Sequence, residues 1–243
     1  MYSIAMSNEL VRDARPADSK SVLVFSAMEF HVKYMMISLI QKKDSEFEAI
    51  DIGVSEFSKY FGLKWGGEQT KALKAAIENL TKNRYIINDN IIKWLADESS
   101  FADGKIHLKL DNSLKPYLLQ TETNFTLYNY ESVKNFTSKY SYHVYEFLKS
   151  AEGMGFYKIS LDDAITIFGD GCCKTKSEFL KRVLNPALRD INKHSDLHIR
   201  KRFHKPFGKP EQIWFSIQSK PNKDQTPPIN DGVREQQQKK SKE

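Results

Sequence analysis

The chain has few of the features that mark secreted, membrane-spanning or metal-binding proteins. Only two of its 243 residues are cysteines, Cys172 and Cys173, and adjacent cysteines neither cross-link distant segments nor supply a zinc site on their own. No run approaches the roughly 18 consecutive apolar residues of a membrane span. The N-terminal segment lacks the basic and apolar blocks of a signal peptide. We therefore predict a cytoplasmic protein without a metal, a cofactor or a membrane partner.

The motifs of common nucleotide-processing and DNA-cutting enzymes are also missing. The stretch WGGEQTK at residues 65–71 lacks the spacing of a phosphate-binding P-loop. None of the 6 histidines belongs to a pair that flanks one apolar residue, which a metal-dependent DNA nickase needs beside its tyrosine. Because no acid, base and nucleophile form a recognisable set, we predict that the protein is not an enzyme.

Excess positive charge is confined to one segment of the chain. Residues 1–173 contain 20 Lys and Arg against 23 Asp and Glu, whereas residues 174–209 contain 11 against 3. A basic segment beside a mildly acidic body is typical of a protein that binds a polyanion. The apolar residues of this segment follow the pattern of a packed core, which does not favour an interfacial membrane helix. The charge distribution therefore predicts a nucleic-acid binder.

The two halves of the chain repeat one order of elements. In each half the apolar periodicity predicts a helix, a strand, two helices and two strands, and the pairs Phe61–Gly62 and Phe168–Gly169 stand at the same point of that order. This is the order of a winged helix, in which the second helix of a helix-turn-helix can enter the major groove and a β-hairpin forms the wing. We predict an α+β fold of two tandem winged-helix domains, related as an internal pseudo-repeat.

Several boundaries follow from the same patterns. Apolar residues predict a helix over residues 28–43 and a long helix over residues 129–151. The sequence Asn88–Asn90 lies between two apolar runs and predicts a hairpin. The alternating strand at residues 105–111 is expected to pair with that hairpin.

The basic segment begins with a helix whose two sides differ in chemistry. Thr175 and Glu178 are spaced as a capping box, and the apolar residues that follow fill one broad arc. Cations and amides fill the opposite arc, and such side chains read guanine and adenine edges in the major groove. Pro186 predicts a bend or, alternatively, a restart of the helix capped by Asn185. The DNA contacts predicted here are Lys174, Lys176, Ser177, Lys181, Arg182, Asn185 and Arg189.

A strand and a loop after this helix carry the remaining positive charge. Alternation places Leu197, Ile199 and Phe203 on one side of the strand. The other side and the following loop suit contact with phosphates or the minor groove. They add the predicted DNA contacts Arg200, Arg202, His204, Lys205 and Lys209, and the first half adds Lys71 and Lys74 as secondary DNA contacts.

The sequence from about Ser7 to Ile217 resembles one protein family over nearly its whole length. The stretch FLKRVLNPALRDINKHSDLHI at residues 179–199 resembles the second winged helix of iteron-binding replication initiators, the Rep proteins of theta-replicating plasmids. Four further stretches resemble landmarks of that family and occur in the same order: SNELVRDA at 7–14, LKPYLLQ at 114–120, FTLYNY at 125–130 and SKYSYHVYEFLKS at 138–150.

The resemblance implies a bacterial protein that binds direct repeats, called iterons, in double-stranded DNA at a plasmid origin. It also implies opening of the adjacent duplex, contact with the host replication initiator and the replicative helicase, repression of its own gene, and a homodimer. Residues 1–124 would form the N-terminal winged helix, for dimerisation and secondary DNA contact. Residues 125–220 would form the C-terminal winged helix, for sequence-specific binding.

A winged-helix transcription regulator without a replication role is the alternative that the sequence leaves open. Autoregulation by an initiator and repression by a regulator require the same residues. The DNA beside the gene distinguishes them, because direct repeats next to an AT-rich tract favour an initiator and a lone inverted repeat favours a repressor.

The last segment, residues 221–243, is predicted to be disordered because its polar composition cannot bury enough apolar surface to order it. We expect that deleting residues 222–243 leaves Tm and specific DNA affinity nearly unchanged. Thermal unfolding and DNA titration of the full and shortened chains measure this. A Tm lower by several degrees would contradict the prediction.

Overall fold

A computed structural model describes residues 3–17, 25–41, 44–119, 124–169 and 171–221. All of the predicted disordered tail except Pro221 lies outside these ranges. Short 3₁₀ turns accompany the helices and strands. From residue 3 to residue 119 the helices and strands are, in order, β1 (Ser3–Ser7), α1 (Asn8–Arg12), β2 (Arg15–Pro16), α2 (Ala27–Ser38), β3 (Ile50–Gly53), α3 (Val54–Phe61), α4 (Gly67–Lys82), β4 (Tyr85–Ile87), β5 (Asn90–Ile92), β6 (Ser100–Ala102), β7 (Lys105–Leu108) and α5 (Lys115–Leu118).

The second half contains a long irregular helix between strands. This helix consists of α8, a π turn and α9, and we call these three parts together the basic helix. From residue 124 to residue 221 the helices and strands are, in order, β8 (Phe125–Asn129), α6 (Lys139–Lys149), β9 (Phe156–Ser160), α7 (Leu161–Gly169), α8 (Lys176–Phe179), the π turn (Leu180–Leu184), α9 (Asn185–His194), β10 (Leu197–His204) and β11 (Gln212–Ser219).

Two three-stranded antiparallel sheets have the same strand order. In the first half β3 pairs with β7, and β7 pairs with β6. In the second half β9 pairs with β11, and β11 pairs with β10. A two-stranded sheet consists of β1 and β8. A further three-stranded sheet of short strands has the order β2–β4–β5. Helices lie against these sheets, so the predicted α+β class is confirmed.

The strand β7 pairs differently from the prediction. β4 and β5 form the predicted hairpin across Asn88–Asp89, whose φ angles of 47° and 66° fit a tight two-residue turn. β7 pairs with β3 and β6 instead. Within the described residues, a single bridge, between Leu95 and Leu110, joins residues 105–111 to the end of the predicted hairpin segment. The turn Asp103–Gly104, with φ angles of 50° and 72°, explains this because it links β6 directly to β7. The predicted pairing of residues 105–111 is therefore wrong.

Two helices are shorter than predicted. α2 ends at Ser38 and does not extend to residue 41, and the Ser38 hydroxyl donates to the Met35 carbonyl, an acceptor of the last turn. Residues 42–43, the last two of that predicted helix, lie outside the described ranges. The second helix begins at Lys139 rather than at Asn129, after a short 3₁₀ turn.

The start of α6 depends on a carboxylate from a distant part of the chain. Asp190 of α9 accepts hydrogen bonds from the backbone N–H groups of Thr137 and Ser138 at 2.9 and 3.1 Å, and from the Ser141 hydroxyl at 2.7 Å. Burial acts to raise the pKa of Asp190, but these hydrogen bonds lower it below its ordinary value. The N-cap of α6 is Ser138, whose hydroxyl accepts a hydrogen bond from the Tyr140 backbone N–H at 3.3 Å, and Asp190 holds the backbone on which this cap depends.

A buried ion pair joins the first half of the chain to the second. The Lys33 ammonium on α2 lies 2.9 Å from both carboxylate oxygens of Glu146 on α6, and the two side chains are 2% and 6% exposed. The hydroxyl of Tyr128 on β8 donates a short hydrogen bond to the same carboxylate. Burial lowers the pKa of Lys33, and the Glu146 carboxylate opposes that shift. Burial and then the Glu146 charge raise the pKa of Tyr128 well above its ordinary value, so its hydroxyl keeps the proton that it donates.

Aromatic rings enclose this ion pair. The ring centroids of Phe25, Phe30 and Trp94 lie 4.5–5.4 Å from the Lys33 ammonium. Phe30 also stacks on Tyr142 of α6, with ring centroids 4.6 Å apart. Water is therefore kept from both charges, and each charge depends on the other for compensation.

Replacing Lys33 with methionine should lower the free energy of unfolding by about 3–5 kcal/mol, because the Glu146 carboxylate is then buried without its counter-charge. The double variant Lys33→Met with Glu146→Gln should recover most of this loss, since a neutral amide oxygen still accepts the hydrogen bond from Tyr128. Urea denaturation of the three proteins measures both differences.

Lys82→Met is the matched control for this experiment. Lys82 also pairs with a glutamate, Glu78 at 2.5 Å, but the two side chains are 71% and 59% exposed. Its loss should cost less than about 1 kcal/mol. Equal losses in the Lys33 and Lys82 variants would mean that the buried pair does not hold the two halves together.

Candidate nucleic-acid interface

The basic helix begins as the sequence predicts. The Thr175 hydroxyl accepts a hydrogen bond from the Glu178 backbone N–H at 3.2 Å, and the Glu178 carboxylate accepts one from the Thr175 backbone N–H at 3.3 Å. Backbone hydrogen bonds from Lys174 and Thr175 lower the pKa of Glu178, which favours its charged form at the positive end of the helix. The predicted capping box is confirmed.

The irregularity expected near Pro186 takes the form of a π turn. The backbone N–H of Asn185 donates to the Leu180 carbonyl, five residues earlier, where an α-helix would use the fourth residue. Leu184 and Asn185 both keep helical backbone angles, with φ and ψ near −71° and −45° and near −67° and −44°. The alternative of a restart capped by Asn185 is therefore wrong, because the helix continues through this point.

The π turn keeps one line of apolar residues in the core. Phe179, Val183, Ala187 and Ile191 are spaced by four residues, and each is 0% exposed. Residues four apart in a regular α-helix of 3.6 residues per turn drift around the axis by about 40° at each step. A π turn uses more residues per turn and cancels part of that drift. The opposite, polar side of the basic helix is thereby held toward solvent.

Most of the predicted contacts of the basic helix lie on this solvent side. The Arg182 guanidinium donates to the Cys172 carbonyl at 3.2 Å, and the Asn185 side chain accepts from the Lys201 ammonium at 2.5 Å. The other cations of this group form no ion pair or side-chain hydrogen bond with any residue that the structure describes. The exposed predicted contacts are Lys174, Ser177, Lys181, Arg182, Asn185 and Arg189.

Lys176 is positioned differently from the other cations. Its ammonium pairs with Glu211 at 2.5 Å and lies 4.1 Å from the ring centroid of Phe203. The unbroken register of β10 keeps Phe203 on the side of Leu197 and Ile199, as the alternation predicts. Unlike those two residues, Phe203 is 36% exposed, and its ring packs beside Lys176. No local pattern predicts the Lys176–Glu211 pair, because its members are 35 residues apart.

β10, β11 and the connecting residues 205–211 form what we call the wing. Leu197 and Ile199 are buried, whereas Arg200, Arg202 and His204 are exposed on the other face, as the alternation predicts. In the register of the sheet, Arg202 lies opposite Trp214 on β11, and Trp214 lies opposite Lys158 on β9. The loop positions Lys205 and Lys209 are also exposed.

Two residues that sequence reasoning missed complete the outer face of this sheet. The Lys158 ammonium lies 4.1 Å from the Trp214 ring centroid, and the His204 ring lies 4.8 Å from the same ring. Trp214 donates a hydrogen bond from its ring nitrogen to Gln212 at 3.0 Å. The alternation of apolar and polar residues along β11 could have indicated the position of Trp214. Lys158 could not be found in this way, because it lies on β9, about 50 residues earlier in the chain.

Asn192 fixes the wing to the basic helix. Its side-chain oxygen accepts from the Ile199 backbone N–H at 2.6 Å, and its side-chain nitrogen donates to the Ile199 carbonyl at 2.9 Å. Helical periodicity places Asn192 among the outward-facing polar residues, but the structure uses it for packing. These two bonds set the position of β10 relative to the helix.

Asp190 and Asp196, two of the acidic residues of the basic segment, do not pair with its exposed cations. The third, Glu178, caps the basic helix by binding backbone N–H groups. Asp190 binds the backbone immediately before α6, as described above. Asp196 accepts hydrogen bonds from the Tyr145 hydroxyl and the Lys149 ammonium, both at 2.7 Å. These two carboxylates are directed toward α6, so the wing and the polar side of the basic helix keep their positive charge.

The two predicted secondary contacts lie elsewhere in the structure. Lys71 and Lys74 are exposed on α4 in the first half. The Lys74 ammonium lies 5.7 Å from the Phe101 ring centroid, beside an open surface cavity of about 320 Å³. They therefore belong to a second basic position, separate from the basic helix and the wing.

Among the residues that the structure describes, no group of three or more His, Cys, Asp or Glu side chains is arranged to hold a metal ion. Within the same ranges, no helix is both long and apolar enough to span a lipid bilayer.

Replacing Asn192 with alanine should lower the free energy of unfolding by about 1–3 kcal/mol, because both backbone groups of Ile199 lose their partner. Asn185→Ala is the matched control on the same helix, and it should cost less than about 1 kcal/mol because its bond to Lys201 is exposed. Urea denaturation compares them. Losses of equal size would mean that Asn192 does not anchor the wing.

Comparison with solved structures shows a shared fold. A crystal structure of domains 2 and 3 of RctB, from selenomethionine derivatives, matches with a TM-score of 0.54 and 12% identity and covers 86% of each chain. A second crystal structure of RctB domains 2–3 has a TM-score of 0.44 and 13% identity, over 84% of this chain and 85% of that one. At these identities the likeness concerns the fold alone.

Comparison of sequences identifies the family. A "Replication initiation protein" from Escherichia coli is 28% identical over an alignment of 137 residues, which covers 52% of this chain and 43% of that relative. The match thus spans less than half of the relative's length. The family model described as "Initiator Replication protein, WH1" matches residues 3–149. Because this match covers more than half of the 243 residues, the chain belongs to the family of initiator replication proteins.

Proposed function

We propose that the protein is a plasmid replication initiator that binds double-stranded DNA at direct-repeat iterons in the origin. Family membership supports the replication role. The observation that carries the DNA-binding role is the set of exposed cations on the basic helix and the wing. Such a surface supplies the electrostatic attraction on which duplex binding depends.

Two tandem winged helices, related as a pseudo-repeat, are the proposed architecture. The equal strand order of the sheets β3–β7–β6 and β9–β11–β10 supports this proposal. In each half two helices precede the wing, α3 and α4 in the first and α7 and the basic helix in the second. We place the domains at residues 1–124 and 125–220. β8 follows this boundary and pairs with β1, so the proposed domains are connected by a strand pair as well as by the buried ion pair.

The basic helix is the proposed reader of base sequence. Lys181, Arg182 and Asn185 extend from its solvent side, where they would meet base edges in the major groove. Lys174 and Ser177 lie at the start of the helix, where backbone N–H groups and the helix dipole favour a phosphate. Arg189, nearer the far end, would meet the flanking backbone.

The wing is the proposed contact with the DNA backbone. Arg200, Arg202, Lys205 and Lys209 are exposed and form no ion pair within the described part of the chain. Long cations of this kind bind phosphates without reading sequence. His204 lies beside Trp214 and would contribute at the edge of this surface. Lys176 is held by Glu211, so its role would be to orient the wing or to exchange that carboxylate for a phosphate.

The first domain is the proposed site of assembly. Lys71 and Lys74 on α4 would make secondary DNA contacts, since α4 occupies the position in the first half that the basic helix occupies in the second. We further propose that the chain forms a homodimer, opens the duplex beside its iterons, meets the host initiator and the replicative helicase, and represses its own gene. The same family membership supports a role without catalysis in the bacterial cytoplasm.

A transcription regulator without a replication role is the remaining alternative. Its DNA surface would be the same. Cloning the gene with its flanking DNA into a plasmid that lacks an origin tests the two functions, because only an initiator maintains that plasmid in a host.

Replacing Arg182 with alanine should weaken binding to the origin repeats by about 1–3 kcal/mol and binding to random duplex much less, because base contacts carry sequence discrimination. Arg182→Lys should lose nearly as much specificity, since lysine keeps the charge but not the bidentate hydrogen bonds.

Arg200→Ala or Arg202→Ala should weaken binding to the origin repeats and to random duplex about equally and lower the slope of the salt dependence by about one unit. Titrations at several salt concentrations measure all four variants.

Lys59→Ala removes an exposed cation from α3 and is the control for a general loss of charge. It should leave the preference for origin repeats over random DNA unchanged. Uniform weakening of both duplexes by Arg182→Ala would mean that the basic helix lies along the DNA backbone and does not read bases.

A further inference from the structure

The tip of the wing carries a phenylalanine whose side chain is fully exposed in the described structure. Phe207 has a relative exposure of 103%. It lies in a turn closed by a hydrogen bond from the Lys209 backbone N–H to the Pro206 carbonyl at 3.2 Å. Gly208 follows with φ of 68°, a left-handed conformation that glycine adopts without strain. The turn therefore presents the ring at the outermost point of the hairpin.

Other exposed aromatic rings in this region have cationic neighbours. Trp214 lies 4.1 Å from the Lys158 ammonium, and Phe203 lies 4.1 Å from the Lys176 ammonium. Phe207 has no comparable ring or cation contact among the described residues. Its exposure is also much higher than the 37% of Trp214 and the 36% of Phe203. An apolar ring in this position has no role in folding, and its free surface is available to a partner.

The surroundings of the ring favour a polyanionic partner. Residues 197–210 contain no Asp or Glu. Lys205 and Lys209 stand two residues before and after Phe207, and both are exposed. A partner at this tip would therefore meet one apolar group with a cation on each side. A base-pair step has the matching arrangement, because its stacked base faces are apolar and the phosphates of the two backbones beside it are negatively charged.

We propose that Phe207 inserts from the minor groove between two stacked base pairs of the bound duplex, while Lys205 and Lys209 hold the phosphates on either side. This inference rests on the proposed duplex-binding function. The ring is a wedge that unstacks one step and bends the DNA toward the major groove, where the basic helix lies. Flexible pyrimidine–purine steps accept such a wedge most readily. The wing thus deforms the duplex in addition to binding its backbone.

The test measures DNA shape with the full chain and a duplex taken from the DNA beside its gene. Gel mobility of circularly permuted fragments reports the bend, which for a wedge of this kind is about 20–90°. The fluorescence of 2-aminopurine, placed at successive steps under the wing, reports unstacking. The unmodified protein should bend the duplex and raise the fluorescence at one step.

Three variants separate the wedge from charge and from packing. Phe207→Ala should abolish the fluorescence rise and most of the bend, while Phe207→Leu should retain much of both because leucine is also an apolar wedge. Phe156→Ala removes another exposed ring, 54% exposed on β9, and should change neither signal. Because Phe207 packs against nothing in the described structure, both of its variants should keep the Tm of the unmodified protein.

Each remaining outcome has a distinct meaning. A bend and a fluorescence rise that persist in Phe207→Ala would overturn the wedge and leave the proposed function intact. Failure of the unmodified protein to bind any duplex would overturn the proposed function itself. An exposed ring between lysines is also suited to an anionic membrane surface. Binding to phosphatidylserine vesicles that depends on Phe207, without an effect of Phe207 on DNA shape, would assign the tip to lipid and overturn the proposal.

Discussion

The buried pair of Lys33 and Glu146 is the contact on which the arrangement of the two halves depends. An ammonium and a carboxylate in an apolar enclosure are stable only together, so α2 and α6 cannot separate without leaving a charge unpaired. Tyr128 adds β8 to the same contact. Asp190 on α9 in turn binds the backbone immediately before α6. The ion pair thus fixes the helix against which the basic helix is positioned.

The basic helix and the wing act as one surface because short polar contacts hold them together. Asn192 binds both backbone groups of Ile199, and Lys176 reaches across to Glu211. Neither contact uses a side chain from the exposed set of Lys181, Arg182, Arg200 and Arg202. Nearby carboxylates such as Asp190 and Asp196 are directed toward α6. Positive charge is consequently left at the face that would meet DNA, while packing uses the other side.

Local signals could be predicted from the sequence, and contacts between distant segments could not. The Thr175–Glu178 capping box and the turn at Asn88–Asp89 involve residues within a few positions of each other, and both are present. The pairing of β7 depended on choosing between two hairpins, and the bond from the Ser138 backbone N–H to Asp190 joins residues about 50 positions apart. For the candidate site, residue type and periodicity place most cations at the surface. They do not reveal that Lys176 is engaged, that Asn192 is a packing residue, or that Lys158 lies beside Trp214.

The π turn places a limit on the length of the basic helix as well as on its composition. Adding one residue between Leu180 and Leu184 would rotate everything after it by about 100° relative to everything before it. The buried line from Phe179 to Ile191 and the solvent side that carries Arg182 could not then both be kept. Insertions at residues 205–211, in a surface loop, would disturb neither. Relatives that bind DNA in the same way are therefore expected to vary in length at the wing and to conserve the residue count of this helix.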